Sequence, residues 1–269
     1  MYSGTTFRTK SGRMMGVHQK IDRVSRRQIT KFLPKKNEFP LVHDILHFEG
    51  ANGPDGIKRK SPGRDEPWHY IDPTNPDDTA IVGMINDHII NLAEALKSHN
   101  HERAAFEAAW MAHAIVDGLT PAHHYPLSDK IEELWGKSHT ERLTIRDKNL
   151  IRGKNRRDTI SKNWQYWGSG GVFTAHFMFE FGVASTIAPL KFEEDCIHND
   201  DIVQLNERGF ETLFLEAVHK IDDLKMYDEF GYKGWTRQLA NRTRRVLVPE
   251  MIRLVVLGWY QAALLADKK

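Results

Sequence analysis

The chain has 269 residues, 40% apolar and 28% charged, with a formal net charge of +2. This is an ordinary globular composition, and the near-neutral balance excludes a protein drawn to nucleic acid or membrane by overall charge. Cys196 is the only cysteine, which excludes an intrachain disulfide and a thiolate zinc site, whereas 14 histidines are many for this length. Residues 1–15 are polar and read as irregular. They include Arg8, Lys10 and Arg13 but no apolar core of signal-peptide length, so a cytoplasmic protein is expected.

Ile21, Val24 and Ile29 predict a helix from Val17 to about Phe32, stopped by Pro34. Residues 50–78 read as one long, proline-rich loop, and such loops are usually functional. Asn75-Pro76-Asp77-Asp78 is expected to open the next helix, which runs to about Lys97 with Ile81, Ile85, Ile89, Leu92 and Leu96 toward the core. An apolar helix from Glu102 to Asp117 follows. Residues 127–170 are the least regular part: Ser128 caps a short helix carrying Ile131 and Leu134, and basic residues dominate from Arg142 to Lys162. Next come Trp164, Tyr166, Trp167 and a Gly168-Ser169-Gly170-Gly171 turn. A helix from Val172 to about Ile187 stops before Pro189. Two long helices, near 200–226 and 236–266, close the chain, the second kinked or interrupted at Pro249. No period-2 pattern and no apolar run of roughly 18 residues occurs. The reading is all-α, one domain over 1–269, without a transmembrane segment.

Phe106, Trp110, His113 and Asp117 share one helix face. The two aromatic residues mark it as the buried face, so His113 and Asp117 point inward. An unpaired buried carboxylate is costly, and a bound cation removes that cost. Gly118 and Pro121 end the helix and turn the chain back to present His123. Imidazole with carboxylate suits zinc or another borderline metal. At this composition, chance supplies roughly two histidines with an acid four residues on. The chain has four such pairs: His18/Asp22, His113/Asp117, His176/Glu180 and His219/Asp223. A helix-surface ion pair explains any one of them. His113/Asp117 and His176/Glu180 differ in lying within strongly apolar helices, while His219/Asp223, beside Lys220, Asp222 and Lys225, reads as solvated.

The run His113-x3-Asp117-x5-His123 with Pro121, followed by His176-x3-Glu180, resembles the superfamily of zinc-dependent phospholipases C and single-strand-specific zinc nucleases. Trp68-His69-Tyr70-Ile71-Asp72-Pro73, Asp55 fourteen residues before His69, and His18 at the head of the first helix extend the resemblance over residues 17–187. It implies an all-α fold with a multi-metal cluster at the floor of a cleft. It implies one zinc held by Asp55, His69, His113 and Asp117, a second by His123, His176 and Glu180, and a third by His18 with Asp117 as a bridge. Asp55 would double as the proton acceptor in hydrolysis of a phosphate ester by a metal-bound water. Residues 124–175 read as an insertion. Members of the superfamily use their N-terminal amine and first carbonyl as ligands. Here a polar stretch precedes His18, so the third metal is expected to be weak or replaced by water; trimming to a ligating terminus, or substitution by another side chain with His47 the one to watch, are the alternatives.

The substrate implied is a phospholipid or small phosphodiester. The alternatives are a single-strand nuclease and a non-catalytic metal-binding scaffold. No obligate protein partner is evident. His124 reads as a neighbour of the cluster. His43 and His47 read as a satisfied pair, and His88, His99, His101, His139 and His198 as surface or capping residues. The basic stretch 142–162 reads as a solvated face, or as a grip on phosphates with Trp164, Tyr166 and Trp167 adding a stacking or membrane-interface surface. Trp235 and Trp259 read as core.

Overall fold

A computed structural model describes residues 1, 16–33, 39–60, 69–125, 127–192 and 195–267. The readings made for residues 2–15, Pro34 and Trp68 lie outside them. The described residues are helical, without strands. In chain order the helices are α1 (Val17–Ile29), α2 (Val42–His47), α3 (Pro54–Lys60), α4 (Ala80–Lys97), α5 (His101–Gly118), α6 (Leu127–Trp135) and α7 (Ile145–Asn149). They continue with α8 (Arg156–Trp167), α9 (Val172–Ile187), α10 (Asn199–Arg208), α11 (Phe210–Asp222), α12 (Met226–Lys233), α13 (Arg237–Arg242) and α14 (Val248–Asp267).

Helix α5 is the spine. The Asn100 side chain caps its first turn by accepting from the Arg103 N–H, a typical stabilising cap. It packs along α4 and against α14, α2 and α1. Its alanine-rich sequence lets neighbours approach closely: Ala104, Ala108, Ala109 and Ala112 are all buried. Trp259 of α14 is fully buried and its indole N–H donates to the Ala108 carbonyl at 2.9 Å, so the ring's polar atom is satisfied inside the core.

Several boundaries differ from those expected. Helix α4 opens at Ala80. The Asp72 and Asn75 side chains accept the backbone N–H groups of Thr74 and Asp77, and such local turns compete with helix. The segment 50–78 is not one loop: Gly50–Asn52 forms a 3-10 turn, and α3 starts on Pro54 with Asp55 in its first turn. Pro54 has no N–H to lose at that position, and the Asp55 charge suits the helix N-terminus. The stretch near 200–226 breaks at Gly209, where φ is +78°, a conformation that glycine adopts without strain.

The last helix is continuous in space from Arg237 to Asp267 but carries a π turn over Thr243–Leu247. By length and composition it could cross a membrane, although the sequence showed no apolar run of span length. Of its most apolar stretch, 72% is buried inside the protein, against α4, α1 and α5. A second, smaller core joins the interval read as an insertion to the segment after residue 68. It comprises Tyr70, Leu127, Ile131, Ile151 and Tyr166, with Val172 and Phe173 packed on it.

Candidate metal centre

Asp117, on the last turn of α5, is fully buried. Its two oxygens face different partners. Oδ2 lies 2.5 Å from His69 Nδ1 and 3.3 Å from His113 Nε2. Oδ1 lies 3.3 Å from His18 Nε2 and 2.5 Å from the α-amine of Met1. His113 is one helical turn back on the same face, as spacing requires. The rings of His18 and His113 stack at 3.7 Å, which fixes α1 against α5 at this height.

Helix α9 supplies the second side of the site. His176 and Glu180 are also one turn apart, with Nε2 and Oε1 at 2.9 Å, and the same Glu180 oxygen is 2.9 Å from His123 Nε2. His123 reaches this point on the turn that follows α5. Gly118 allows that turn to form tightly: a Cβ there would stand 2.6 Å from Phe214 Cζ of α11. Two hydrogen bonds then tie the turn to the segment after residue 68. His123 Nδ1 donates to the His69 carbonyl at 2.6 Å, and the Ile71 N–H donates to the His123 carbonyl at 3.2 Å.

Three groups of potential ligand atoms result, each with its atoms within 4.8 Å of one another: His18, His113 and Asp117; Asp55, His69 and His113; His123, His176 and Glu180. All eight residues singled out in the sequence fall in these groups, which are compatible with metal binding. His47 does not. It lines a pocket with Asp44, Phe48 and His101 instead. His124 turns away: Nε2 donates to the Gly118 carbonyl at 3.1 Å and Nδ1 lies 3.4 Å from Asp222.

A further difference concerns the N-terminus. The Met1 amine sits within the cluster, 3.1 Å from His123 Nε2 and 3.2 Å from Glu180 Oε1, and its carbonyl oxygen lies 3.1 Å from His18 Nε2. The resemblance implied such an amine and carbonyl, and the polar stretch before His18 had argued against them here. The sequence gave no sign of Glu49, which is buried with an oxygen 3.4 Å from His113 Nδ1. Asp22, one turn beyond His18, is buried close to Glu49, and neither of its oxygens has a hydrogen-bond partner among the described residues. His88, read as a surface or capping residue, is buried instead, with Nδ1 2.5 Å from Glu107 of α5. It helps line a recess beside His69 and His113 of about 10 Å³, room for about one water.

The electrostatics follow from this crowding. Burial alone would raise the Asp117 pKa, but His123, the Met1 amine and His113 hold it well below the usual carboxylate range. Burial likewise opposes the charge on Glu180, and the amine and His176 reverse the effect. Asp55 is pulled down to about 2 against burial by His113, the amine and His69. Burial opposes a charge on His113, yet Asp117 and Glu49 raise its pKa well above the ordinary value. Burial dominates at His123 and lowers it to about 3. Burial and the neighbouring Glu49 push the Asp22 pKa well above the usual carboxylate range.

A solved structure shares this fold. It is the crystal structure of Clostridium perfringens alpha-toxin from an avian strain, similar with a TM-score of 0.57 and 12% sequence identity over 95% of this chain. This chain spans 65% of the alpha-toxin structure. No family model and no curated protein matches the chain. At 12% identity the likeness to alpha-toxin is one of fold, so the chemistry rests on this chain's own residues.

Those residues fit a metal cluster. The His69 carbonyl can only accept, so His123 Nδ1 carries the proton and Nε2 presents a lone pair. That lone pair and the Glu180 oxygen face a common point, where the positively charged Met1 amine lies 3.1 Å from the one and 3.2 Å from the other, so the pair is built to share a cation. His113 Nε2 is buried and points toward Asp117 and Asp55, at 3.3 and 3.8 Å. A His whose other nitrogen is held by a carboxylate or carbonyl is the usual form of a metal-bound imidazole.

Proposed function

We propose that this chain is a metal-dependent phosphodiester hydrolase of the zinc-dependent phospholipase C type. The observation that carries the reading is the convergence of eight buried or half-buried imidazole and carboxylate side chains in three adjoining groups, with Asp117 among them and touching His69 and His123 of the other two. The fold shared with alpha-toxin supports it. Asp55, His69, His113 and Asp117 would hold one zinc, and His123, His176 and Glu180 a second. A third would take His18 and share Asp117, with the Met1 amine and carbonyl beside it. Bound there, zinc would supply Lewis acidity to a phosphoryl oxygen and lower the pKa of an attacking water.

The chain's own groups have distinct parts. Asp55 is the most exposed carboxylate of the set, at 25%, so it is the one placed to exchange a proton near the surface of the site. Asp117, fully enclosed, anchors the assembly. Glu49 holds His113, and the His69 carbonyl holds His123, each in the orientation a ligand needs.

A second reading, a single-strand nuclease, is favoured by the basic and aromatic stretch 142–167. Elemental analysis with a panel of phosphatidylcholine, single-stranded DNA and a chromogenic diester, run across salt concentrations, tests both. The phospholipase reading expects at least two zinc per chain and lipid turnover that depends little on salt. A nuclease loses affinity steeply with salt through released counterions, so salt-sensitive DNA cleavage without lipid turnover would replace the first reading with the second. Less than one metal per chain in protein never exposed to chelator would overturn both.

A further inference from the structure

Within the interval between His123 and His176, one stretch carries a marked excess of positive charge. Residues 142–162 contain eight basic and two acidic residues, a net +6 in a chain whose total is +2, so the remainder carries a net −4. Helix α8 lies within this interval, and its contacts determine which side faces out. Thr159 Oγ1 accepts from the Gly153 N–H, Asn163 exchanges two hydrogen bonds with the Ile151 backbone, and Tyr166 is buried in the small core with Tyr70. Those positions form the inner face.

The outer face carries Ile160 and Trp164, 62% and 67% exposed, and Trp167 at 36%. On a helical wheel the three form one stripe, bordered by Arg156 on one side and Arg157 on the other. Neither arginine has a carboxylate partner among the described residues. The Trp164 ring lies over Gly168, whose missing Cβ leaves room for it, so the indole keeps a fixed outward position. Gly168 and the buried Tyr166 support the stripe from below.

We propose that this face of α8 docks the chain on an anionic phospholipid bilayer. An apolar stripe with tryptophan, edged by unpaired arginines, has the make-up of a helix lying in the plane of a membrane interface. Tryptophan favours the headgroup level, and basic residues are drawn to anionic lipid. Ile160, placed between the indoles, decides against a single-stranded nucleic acid. Bases stack on aromatic rings and gain nothing from an aliphatic side chain, whereas hydrocarbon does. The inner face links the docking surface to the candidate metal centre, because Tyr70 in the same small core stacks on His123 with ring centroids 5.3 Å apart. The proposal needs no bound metal and is independent of the catalytic reading.

The test is co-sedimentation of the full chain with vesicles of phosphatidylcholine alone and of phosphatidylcholine with about 30% phosphatidylserine. Partition should be about tenfold stronger with phosphatidylserine and fall toward the neutral-lipid value at roughly 0.5 M salt. Ile160→Ser with Trp164→Ala, and separately Arg156→Glu with Arg157→Glu, should each remove about nine-tenths of the binding. Tyr232→Ser on α12, at a side chain 91% exposed, should change nothing. Because the substituted residues are all exposed, circular dichroism should be unchanged in all three. No partition into either vesicle overturns the proposal, as does equal loss in the Tyr232 variant. Tight binding of a single-stranded oligonucleotide through the same residues, without vesicle binding, would overturn it in favour of a nucleic-acid surface.

Discussion

His123 Nδ1 stands 2.6 Å from the carbonyl oxygen of His69. That contact sets the tautomer of His123 and joins the two segments that carry the imidazoles, so the second ring nitrogen is free to bind a cation. His124, the next residue, is committed to Gly118 and Asp222. His123→Ala should therefore lower metal stoichiometry by about one ion per chain, while His124→Ala retains the full complement. Elemental analysis of both variants checks this, and the reverse order would show that the wrong histidine has been chosen.

Asp117 belongs to the first of the three ligand groups and touches His69 and His123 of the other two. Asp117→Asn keeps the shape and removes the charge. Metal affinity should fall by more than about 100-fold, beyond the 10–100-fold expected of an outer residue. Competition against a chromophoric chelator measures it. An affinity within a factor of a few of the parent would remove Asp117 from the centre of the scheme.

Glu49 tests the outer layer. It touches His113 Nδ1 and no other ligand, so Glu49→Gln should weaken metal binding by about 10–100-fold without altering stoichiometry at saturating zinc. A structural role alone would appear as a lower melting temperature of the metal-free protein with unchanged affinity, and the two measurements together separate these outcomes.

The metal-free protein should be most stable near neutral pH. The folded pKa of His123, about 3, lies below its unfolded value of 6.5. Its contribution is therefore complete above pH 6.5 and lost as pH falls toward 3. Asp55, at about 2 against 3.8, adds to the loss below pH 3.8. On the alkaline side the signs reverse. His113 is raised above 6.5 and the Met1 amine to about 10 from 8.0. Both contribute fully below their unfolded values and lose that contribution as pH rises through the folded ones. Denaturation midpoints of chelator-treated protein across pH should show this dome, and a midpoint that rises steadily from pH 7 to 10 would contradict it.

Gly182 on α9 meets the face of Trp235: a Cβ there would lie 2.3 Å from the ring. The indole is held by its N–H donation to Thr186 at 3.1 Å, so it cannot easily yield. Gly182→Ala should cost about 1–3 kcal/mol, seen in thermal melts. It should also reduce metal affinity, because α9 carries His176 and Glu180.

Much of this was legible in sequence because ligands that share a helix turn leave a four-residue signature. The limits of α5 and α9 and the pairs His113/Asp117 and His176/Glu180 follow from periodicity. What escaped the reading depends on tertiary approach. Glu49 has no partner within a helical turn, and its role appears only when α5 brings His113 beside it. The Met1 amine has no side-chain pattern at all. The pairing of His88 with Glu107 joins two helices, and no local pattern marks it. Asp72 and Asn75 delayed α4 through turns whose competition with helix is weakly encoded.

The π turn at Thr243–Leu247 amounts to one extra residue accommodated within an otherwise regular helix. It falls just before Pro249, where no N–H exists to complete an ordinary turn. Removing a single residue there would restore the regular repeat and rotate everything upstream by roughly 100°. Leu239, now fully buried, would swing out of the interior, and the contacts of this segment with α9 would be exchanged for others. Val248–Asp267 would stay in place. The helix thus has a phase boundary, and a one-residue change in its length is felt at the ligand-bearing helix rather than at the chain's end.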